Sequence, residues 1–278
     1  MNRCMITLRA SDGGEFSAYV VVPDGKPAPA IILLQEIFGL IDWIKEIADT
    51  FAAAGYCVAV PEMFSRLERN FVADLSDPKQ MQKGLRFRGL VDHRLAMNDI
   101  ETVSAELNSV AACNGKIGVV GSCFGGTFAY LSAVRLNVDT AVAYYGTQMH
   151  EFLDEASAIT CPTLLHMGTA DDHVPEPLRE KIRIAAAANP AVTIHLYDAE
   201  HAFANSTRTA YYCAQTSRTA QAGTFELFDA LRSPEFILRT VTTLDCATVA
   251  VRKCSQSYPE KHHDESNFLM RRPLNRRC

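Results

Sequence analysis

The sequence predicts an α/β fold in which a mostly parallel sheet is covered by helices on both faces. Short runs rich in β-branched residues alternate along the chain with segments of helical periodicity. Several of these runs are apolar throughout, which is typical of strands that are buried on both faces. Strands that alternate with helices favour right-handed crossovers and therefore a parallel sheet.

The predicted strands lie at residues 18–23, 30–36, 56–62, 116–121, 140–146, 163–168 and 192–198. Helices are predicted at residues 41–54, 91–110, 125–136 and 177–188, with a last one within 208–231. In the segment 91–110 the apolar residues recur at spacings of three, four or eight, which places them on one face of a helix. In sheets of this kind the chemistry gathers where the parallel strands end, so we expect functional residues in the loops that follow them.

Composition and charge indicate an ordinary globular chain. Of the 278 residues, 48% are hydrophobic and 21% are charged, which allows one large α/β domain or two small ones. The net charge of −5 gives no electrostatic case for binding nucleic acid or a membrane surface. The N-terminus lacks the pattern of a secretory signal, and no apolar run approaches the roughly 20 residues of a membrane span. We therefore expect a cytoplasmic monomer that acts on a small molecule, with neither nucleic acid nor membrane as a partner.

The nine cysteines are scattered along the chain without a CxxC pair or a regular spacing. This pattern argues against a disulfide framework and against a structural zinc site. It is consistent with reduced thiols in a cytoplasmic protein.

The periodic pattern stops near residue 235, which sets the predicted domain boundary. Residues 1–234 are expected to form the α/β domain. Residues 235–278 are polar and aperiodic, and they contain the basic run "RRPLNRR". We expect a poorly ordered extension, with an extension docked on the domain as the alternative. The basic run is either solvated or in contact with an acidic partner.

Cys123 lies in the stretch "GSCFGG" (121–126), between a predicted strand and a predicted helix. The stretch matches the pattern G-x-nucleophile-x-G, in which a nucleophile sits on a sharp strand-to-helix turn and nearby positions must lack side chains. The N-terminus of the following helix favours a thiolate at this position. The backbone N–H of Phe124 would face the place where an oxyanion forms.

Two other interpretations of Cys123 are open at this point. Free cysteines are often inert core residues. A glycine-rich loop between a strand and a helix also binds the phosphates of a dinucleotide, and Asp139 lies near the distance expected for a ribose-binding acid. However, the stretch does not keep the G-x-G-x-x-G spacing, and it falls in the middle of the chain.

The residues that follow later strands favour the nucleophile. A thiol nucleophile needs a base, and the base needs an orienting acid, in the chain order nucleophile, acid, histidine. Asp171 and Asp172 follow the strand at 163–168, and His201 follows the strand at 192–198. Residue counting leaves both aspartates open and favours Asp171. His166 lies inside a predicted strand, and we interpret it as a structural histidine.

With these residues placed, the sequence resembles the dienelactone hydrolase (carboxymethylenebutenolidase) family over roughly residues 10–232. The resemblance rests on the motifs "LLQEIFGL" (33–40), "GSCFGG" (121–126), "AYYG" (143–146), "HMGTADDHVP" (166–175) and "EHAFA" (200–204). It implies an α/β-hydrolase fold with a Cys-Asp-His triad made of Cys123, Asp171 and His201. Asp171 is preferred here because it stands three residues before Val174, at the position of the acid in the family.

The resemblance also implies a mechanism. Glu36 would pair with the Cys123 thiol in the free enzyme and take its proton when substrate binds, whereas without the motif it would simply end a strand in water. The N–H of Ile37 would be the second oxyanion donor beside that of Phe124. The reaction would open a dienelactone to maleylacetate through a thioester, as a step in the degradation of aromatic compounds. No metal or organic cofactor is implied.

The sequence departs from the family pattern where a substrate carboxylate would bind. The family commonly carries arginine at the position of Asn205, and a second arginine is not clearly matched within "SDPKQMQKGLRFRGL" (76–90). Lys83, Arg86 or Arg208 could supply a cation instead. The expected substrate-binding residues are therefore Phe38, Arg86, Tyr144, Asn205 and Arg208. The alternatives to a dienelactone hydrolase are a broader carboxylesterase with the same triad, a nucleotide-binding protein and a non-catalytic relative.

Overall fold

An eight-stranded sheet lies at the centre of the fold. The structure is a computed structural model, and it describes residues 1–25 and 27–232. In chain order the strands are β1 (Asn2–Arg9), β2 (Glu15–Val22), β3 (Ala28–Leu34), β4 (Cys57–Pro61), β5 (Cys113–Ser122), β6 (Thr140–Tyr144), β7 (Thr163–Gly168) and β8 (Val192–Tyr197). The α-helices of this part are α1 (Asp42–Ala53), α2 (Pro78–Leu90), α3 (His93–Ser109), α4 (Phe124–Arg135), α5 (Glu176–Ala187) and α6 (Ala214–Asp229). Shorter 3-10 segments occupy Met149–Ala158 and Ala230–Arg232.

The strand order across the sheet is β1-β2-β4-β3-β5-β6-β7-β8. Neighbouring strands are parallel from β4 through β8, whereas β1 and β2 extend the sheet as antiparallel strands. Every residue of β3, β4 and β6 is buried, as expected for central strands that are covered on both faces. The predicted mostly parallel α/β architecture is confirmed.

The structure adds one strand and one α-helix to those predicted. Strand β1 lies at the edge of the sheet and is mostly exposed, so it shows no apolar pattern and is held by backbone pairing with β2. Helix α2 buries only Gly84 and Phe87, so it lacks the apolar stripe that periodicity detects. Its start is instead marked by local sequence signals: Asp77 caps its N-terminus, and Pro78 occupies its first turn.

The carboxyl ends of the parallel strands bring distant loops together at one edge of the sheet. Leu34 at the end of β3 lies in register with Gly121 of β5, and Ser122 lies in register with Tyr144 at the end of β6. The segments that follow β3, β5 and β6 are therefore neighbours. The loops after β7 and β8 leave the sheet at the same edge because these strands are also parallel.

A buried polar cluster fixes α6 against β6 and β7. The hydroxyl of Thr224 in α6 lies 2.6 Å from the hydroxyl of Tyr144 and 3.1 Å from Nε2 of His166. Nδ1 of His166 lies 2.8 Å from the hydroxyl of Tyr197. Burial lowers the pKa of His166 to about 3, so its ring is neutral. Both ring nitrogens have partners, and His166 is the structural histidine that we predicted.

The predicted extension at 235–278, with its basic run, lies outside the described residues. Its order and the boundary at residue 234 therefore stay predictions. The cysteines within the described residues are free thiols, namely Cys4, Cys57, Cys113, Cys123, Cys161 and Cys213. Among the helices of residues 1–25 and 27–232, none is both long enough and apolar enough to cross a bilayer.

Thr224→Val is expected to lower the free energy of unfolding by about 1–3 kcal/mol. The substitution keeps the shape of the side chain but leaves the Tyr144 hydroxyl and the His166 ring without their shared partner. Urea unfolding measures the change. Thr219→Val, at an exposed position of the same helix, is the matched control and should change stability by less than about 0.5 kcal/mol. Equal effects of the two substitutions would contradict a structural role for the cluster.

Candidate active site

Cys123 occupies a strained turn between β5 and α4. Its φ of 55° and ψ of −116° lie in a region that residues with a side chain rarely adopt. The surrounding glycines allow the turn, because a Cβ at Gly121 would lie 2.2 Å from the carbonyl oxygen of Gly125. A Cβ at Gly125 would lie 2.3 Å from the carbonyl oxygen of Leu34. The N–H of Cys123 donates to the carbonyl of Tyr144 at 2.9 Å, which ties the turn to β6.

The structure brings His201 to Asp171 rather than to Asp172. Nδ1 of His201 lies 2.8 Å from Oδ2 of Asp171, whose side chain is buried. The other carboxylate oxygen of Asp171 accepts the backbone N–H groups of His173 at 2.8 Å and Val174 at 3.2 Å. These three contacts fix the orientation of the His201 ring, whereas Asp172 is exposed.

The free nitrogen of His201 is available to Cys123. Nε2 is buried and has no hydrogen-bond partner among residues 1–25 and 27–232. Burial alone would lower the pKa of His201, but the Cys123 thiolate and the Asp171 carboxylate outweigh it and raise that pKa to about 10. A protonated His201 ring would therefore stabilise negative charge on the Cys123 sulfur. The arrangement can hold a nucleophilic thiolate beside an imidazolium.

Two backbone N–H groups beside the turn can receive an oxyanion. Phe124 is the first residue of α4, and Ile37 follows the end of β3. Neither N–H donates a backbone hydrogen bond within the described part of the chain. The start of α4 also carries the positive end of the helix dipole. Unpaired N–H groups at such a position stabilise the negative charge of a tetrahedral intermediate.

Gln35, which the sequence analysis did not single out, fixes the direction of the Ile37 N–H. Its buried side chain donates from Nε2 to the carbonyl oxygen of Glu36 at 3.3 Å and accepts the N–H of Met63 at 3.2 Å. In a planar trans peptide the carbonyl and the next N–H point in opposite directions. Holding the Glu36 carbonyl therefore turns the Ile37 N–H the other way. The signal in the sequence was a glutamine directly after a wholly apolar strand.

Glu36 is buried and is not exposed to solvent at the end of a strand. It is 3% exposed, and its Oε1 accepts the hydroxyl of Tyr145 at 3.2 Å. Its Oε2 accepts Nδ2 of Asn205 at 2.8 Å. Burial raises the pKa of Glu36, and these hydrogen bonds only partly oppose it. The partners of the carboxylate in this structure are thus Tyr145 and Asn205, where the resemblance implied Cys123.

The structure places Tyr145, not Tyr144, beside the triad. Tyr144 ends β6 with its hydroxyl on Thr224, within the polar cluster described above. Tyr145 has a φ of 37°, which turns the chain after the strand, and its ring centre lies 5.0 Å from that of His201. We expected Tyr144 to contact substrate, but its hydroxyl instead contacts Thr224 inside the protein. Tyr145 is the tyrosine that lies beside His201.

A cavity of about 230 Å³ is lined by Cys123 and His201. Its apolar wall contains Phe38, as expected, together with Met81, Leu85 and Tyr211. Its polar lining includes Glu36, Arg88, Asp172, His173, Glu200 and Arg208. The cavity therefore has room for a small molecule with an apolar body, and it presents charged groups around the nucleophile.

Arg208 and Arg88 are the cations of this cavity. The guanidinium carbon of Arg208 lies 5.5 Å from the ring centre of Phe38 and 5.2 Å from that of Tyr211. Within the described residues, neither arginine forms an ion pair with a carboxylate. Both are therefore able to bind an anionic group of a ligand.

The other expected cation positions lie elsewhere. Arg86 is exposed on α2 and does not line the cavity, whereas Arg88, two residues later, does. Lys83 pairs with Glu68 at 2.6 Å. Asn205 is fully buried behind Glu36, so it does not reach a ligand carboxylate.

The geometry does not favour the nucleotide-binding alternative. The space beside the glycines around Cys123 is occupied by neighbouring backbone, so a phosphate has no room to bind there. Asp139 precedes β6, at the opposite edge of the sheet from Cys123. There its carboxylate pairs with Lys116 at 2.6 Å and accepts the N–H of Ile117 at 2.8 Å.

Gly84→Ala is expected to lower kcat by about tenfold or more, because it disturbs an oxyanion donor. A Cβ at Gly84 would lie 2.2 Å from the carbonyl oxygen of Ile37 and would displace that loop. Gly89→Ala in the same helix is the matched control, since nothing lies within 4 Å of its Cβ. Steady-state hydrolysis of an activated ester, with thermal melting of each variant, measures the effect. A similar loss of kcat in both variants would contradict this role for the contact.

Comparison with known proteins agrees with this geometry. The family model described as "Dienelactone hydrolase family" matches residues 16–231. A "Carboxymethylenebutenolidase" of Pseudomonas putida is 33% identical over 207 residues, which cover 74% of this chain and 88% of the relative. "Carboxymethylenebutenolidase 1" of Cupriavidus pinatubonensis is 30% identical over 229 residues, which cover 82% and 97%. The crystal structure of a "Putative Dienelactone Hydrolase" from Klebsiella pneumoniae superposes with a TM-score of 0.69 at 26% identity, covering 82% of this chain and 99% of that one. The chain therefore belongs to the dienelactone hydrolase family, has the α/β-hydrolase fold and is a hydrolase that acts on lactone or ester bonds.

Proposed function

We propose that this protein hydrolyses a dienelactone, 4-carboxymethylenebut-2-en-4-olide, to maleylacetate through a thioester on Cys123, as a step in the degradation of aromatic compounds. The observation that carries the proposal is the strained Cys123 turn beside His201, whose Nε2 is buried and has no other partner within the described residues. The names of the Pseudomonas and Cupriavidus relatives support the substrate class.

Acylation begins when the Cys123 thiol gives its proton to the Glu36 carboxylate. The thiolate attacks the lactone carbonyl, and the N–H groups of Ile37 and Phe124 donate to the resulting oxyanion. The ring C–O bond then breaks and an enolate leaves. Because an enolate is a weak base, it departs without strong acid assistance. A simple alkoxide would tend to return to the ester, so alkyl esters should be poor substrates.

Deacylation depends on a change in the charge around His201. The Cys123 thiolate is the largest influence that raises the pKa of His201, and its charge disappears when the thioester forms. Burial then favours the neutral ring, and any proton carried on it passes to the leaving enolate. Neutral His201, oriented by Asp171, takes a proton from water as the water attacks the thioester. The expelled Cys123 thiolate regains its proton from Glu36, and His201 releases the water proton to the solvent before the next turnover.

Arg208 is the proposed anchor for the substrate carboxylate. It faces the cavity without a carboxylate partner among the described residues, and the rings of Phe38 and Tyr211 limit where its guanidinium can move. A carboxylate bound there would leave the lactone ring against the apolar wall. Arg88 supplies further positive charge at the same cavity.

Cys123→Ala is expected to abolish turnover of cis- and trans-dienelactone, with a loss of at least about a thousandfold in kcat. Absorbance of the conjugated lactone follows the reaction. Activated phenyl esters, tested in parallel, separate the alternatives. Cleavage of the phenyl ester that requires Cys123, without turnover of either lactone, would indicate the broader carboxylesterase instead. Hydrolysis that survives the substitution would contradict the nucleophile itself.

Arg208→Gln is expected to raise KM for the dienelactone by about 10- to 100-fold, the loss typical of one charge-assisted hydrogen bond. Hydrolysis of uncharged phenyl acetate should not fall by more than about twofold. Arg218→Gln, at an exposed arginine of α6 that contacts Gln215, is the matched control and should affect neither substrate. An equal loss with charged and uncharged substrates would show that Arg208 does not bind the carboxylate.

A further inference from the structure

Asn205 connects Glu36 to the loop that follows His201. Its side chain is fully buried, and Nδ2 donates to Oε2 of Glu36 at 2.8 Å. Its Oδ1 accepts both the backbone N–H of Thr207 at 3.0 Å and the Thr207 hydroxyl at 2.6 Å. Rotation of the amide by half a turn would lose the hydrogen bonds to Glu36 and to the Thr207 N–H, and it would set the amide oxygen against the Glu36 carboxylate. The donor side of Asn205 is therefore locked toward Glu36.

The partners of Glu36 are uncharged on both carboxylate oxygens. Tyr145 donates to one oxygen and Asn205 to the other. Within the described residues, no lysine, arginine or histidine forms an ion pair with Glu36. The charged groups that act on it are His201 and Arg208, through longer-range attraction that lowers its proton affinity. Burial acts in the opposite direction and is the largest influence, so the pKa of Glu36 is raised.

We infer that Asn205 is a positioning residue whose neutral amide orients the Glu36 carboxylate while leaving it able to accept the Cys123 proton. The inference rests on the proposed function, in which Glu36 takes that proton. A cation at position 205 could also donate to Glu36, but its charge would favour the carboxylate and oppose protonation. A carboxylic acid there would compete for the proton. An amide orients Glu36 without either effect.

Asn205→Asp is the most direct test. Aspartate keeps the shape and the Thr207 contacts, but it places a second carboxyl group 2.8 Å from that of Glu36. Two carboxyl groups at this distance share one proton. Glu36 can then accept the Cys123 proton only after the pair has lost its own, at higher pH. The pH midpoint for alkylation of Cys123 by iodoacetamide, followed by mass spectrometry, should rise by at least about one unit.

The same substitution in a Glu36→Gln background separates positioning from a direct effect of charge. If Asn205 acts through Glu36, Asn205→Asp should move the alkylation midpoint of the Glu36→Gln protein by less than about 0.3 units. A shift of equal size in both backgrounds would show that the added charge acts on Cys123 directly. That result would overturn the inference.

A milder pair of variants tests the inference if Asn205→Asp fails to fold. Thr207→Val removes one of the two donors that lock the amide, at an exposed position where folding should survive. Thr207→Val should also raise the pH midpoint for alkylation of Cys123, but by less than Asn205→Asp does. Thr209→Val, two residues along the same exposed loop, is the matched control and should not change it. Identical profiles for wild type and Thr207→Val would then overturn the inference.

Failure of the proposed function has a different signature in this experiment. Alkylation reports the Cys123 thiolate directly and needs no substrate. If iodoacetamide does not react selectively with Cys123 in the wild-type protein, the nucleophile itself is contradicted. If it does react, and only the response to the substitutions at 205 and 207 is missing, the positioning role alone is contradicted.

Discussion

The close backbone contact between the end of β3 and the start of α4 is the constraint on which the site depends. A single Cβ at Gly125 would collide with the carbonyl oxygen of Leu34, so the two backbones meet there without a side chain between them. The contact sets the Cys123 turn beside the segment that carries Glu36 and Ile37. Strain at Cys123 persists because sheet and helix fix the residues on either side. One piece of packing thus positions the candidate nucleophile, both candidate oxyanion donors and the buried carboxylate.

The two buried carboxyl groups of the site differ in how they are satisfied, and this difference suits them to different tasks. Asp171 receives three hydrogen bonds, from His201 and from two backbone N–H groups. Glu36 receives two, both from uncharged side chains, and burial raises its pKa. A carboxyl group that is fully satisfied orients its partner, whereas one that is buried and weakly compensated has a raised pKa and is better able to accept a proton. Pairs of carboxyl groups in catalytic sites are commonly separated in this way.

Topology explains which parts of the site the sequence could predict. Cys123, Asp171 and His201 follow parallel strands, and such strands end at one edge of the sheet whatever the side-chain detail. Topology does not predict the direction in which a side chain points. In "AYYG" the strand ends at Tyr144, and only the positive φ of the next residue turns Tyr145 toward the triad. On α2 the weak apolar face gave no means of choosing between Arg86 and Arg88, and only Arg88 reaches the cavity. Asn205 lies behind Glu36, a contact between residues far apart in sequence.

Asn205 holds the Glu36 carboxylate, and Arg208 presents a positive charge to the cavity. A single buried cation would have to perform both tasks. The N–H of Arg208 donates to the carbonyl of Asn205 at 3.0 Å, so one short turn directs the amide inward and the guanidinium toward the cavity. The charge of Arg208 lowers the proton affinity of Glu36 from a distance. A substrate carboxylate bound at Arg208 would offset that charge, and the proton affinity of Glu36 would then rise. Binding an anionic substrate would therefore strengthen the proton acceptor at the step in which Cys123 must become a thiolate, and an uncharged ester would not have this effect.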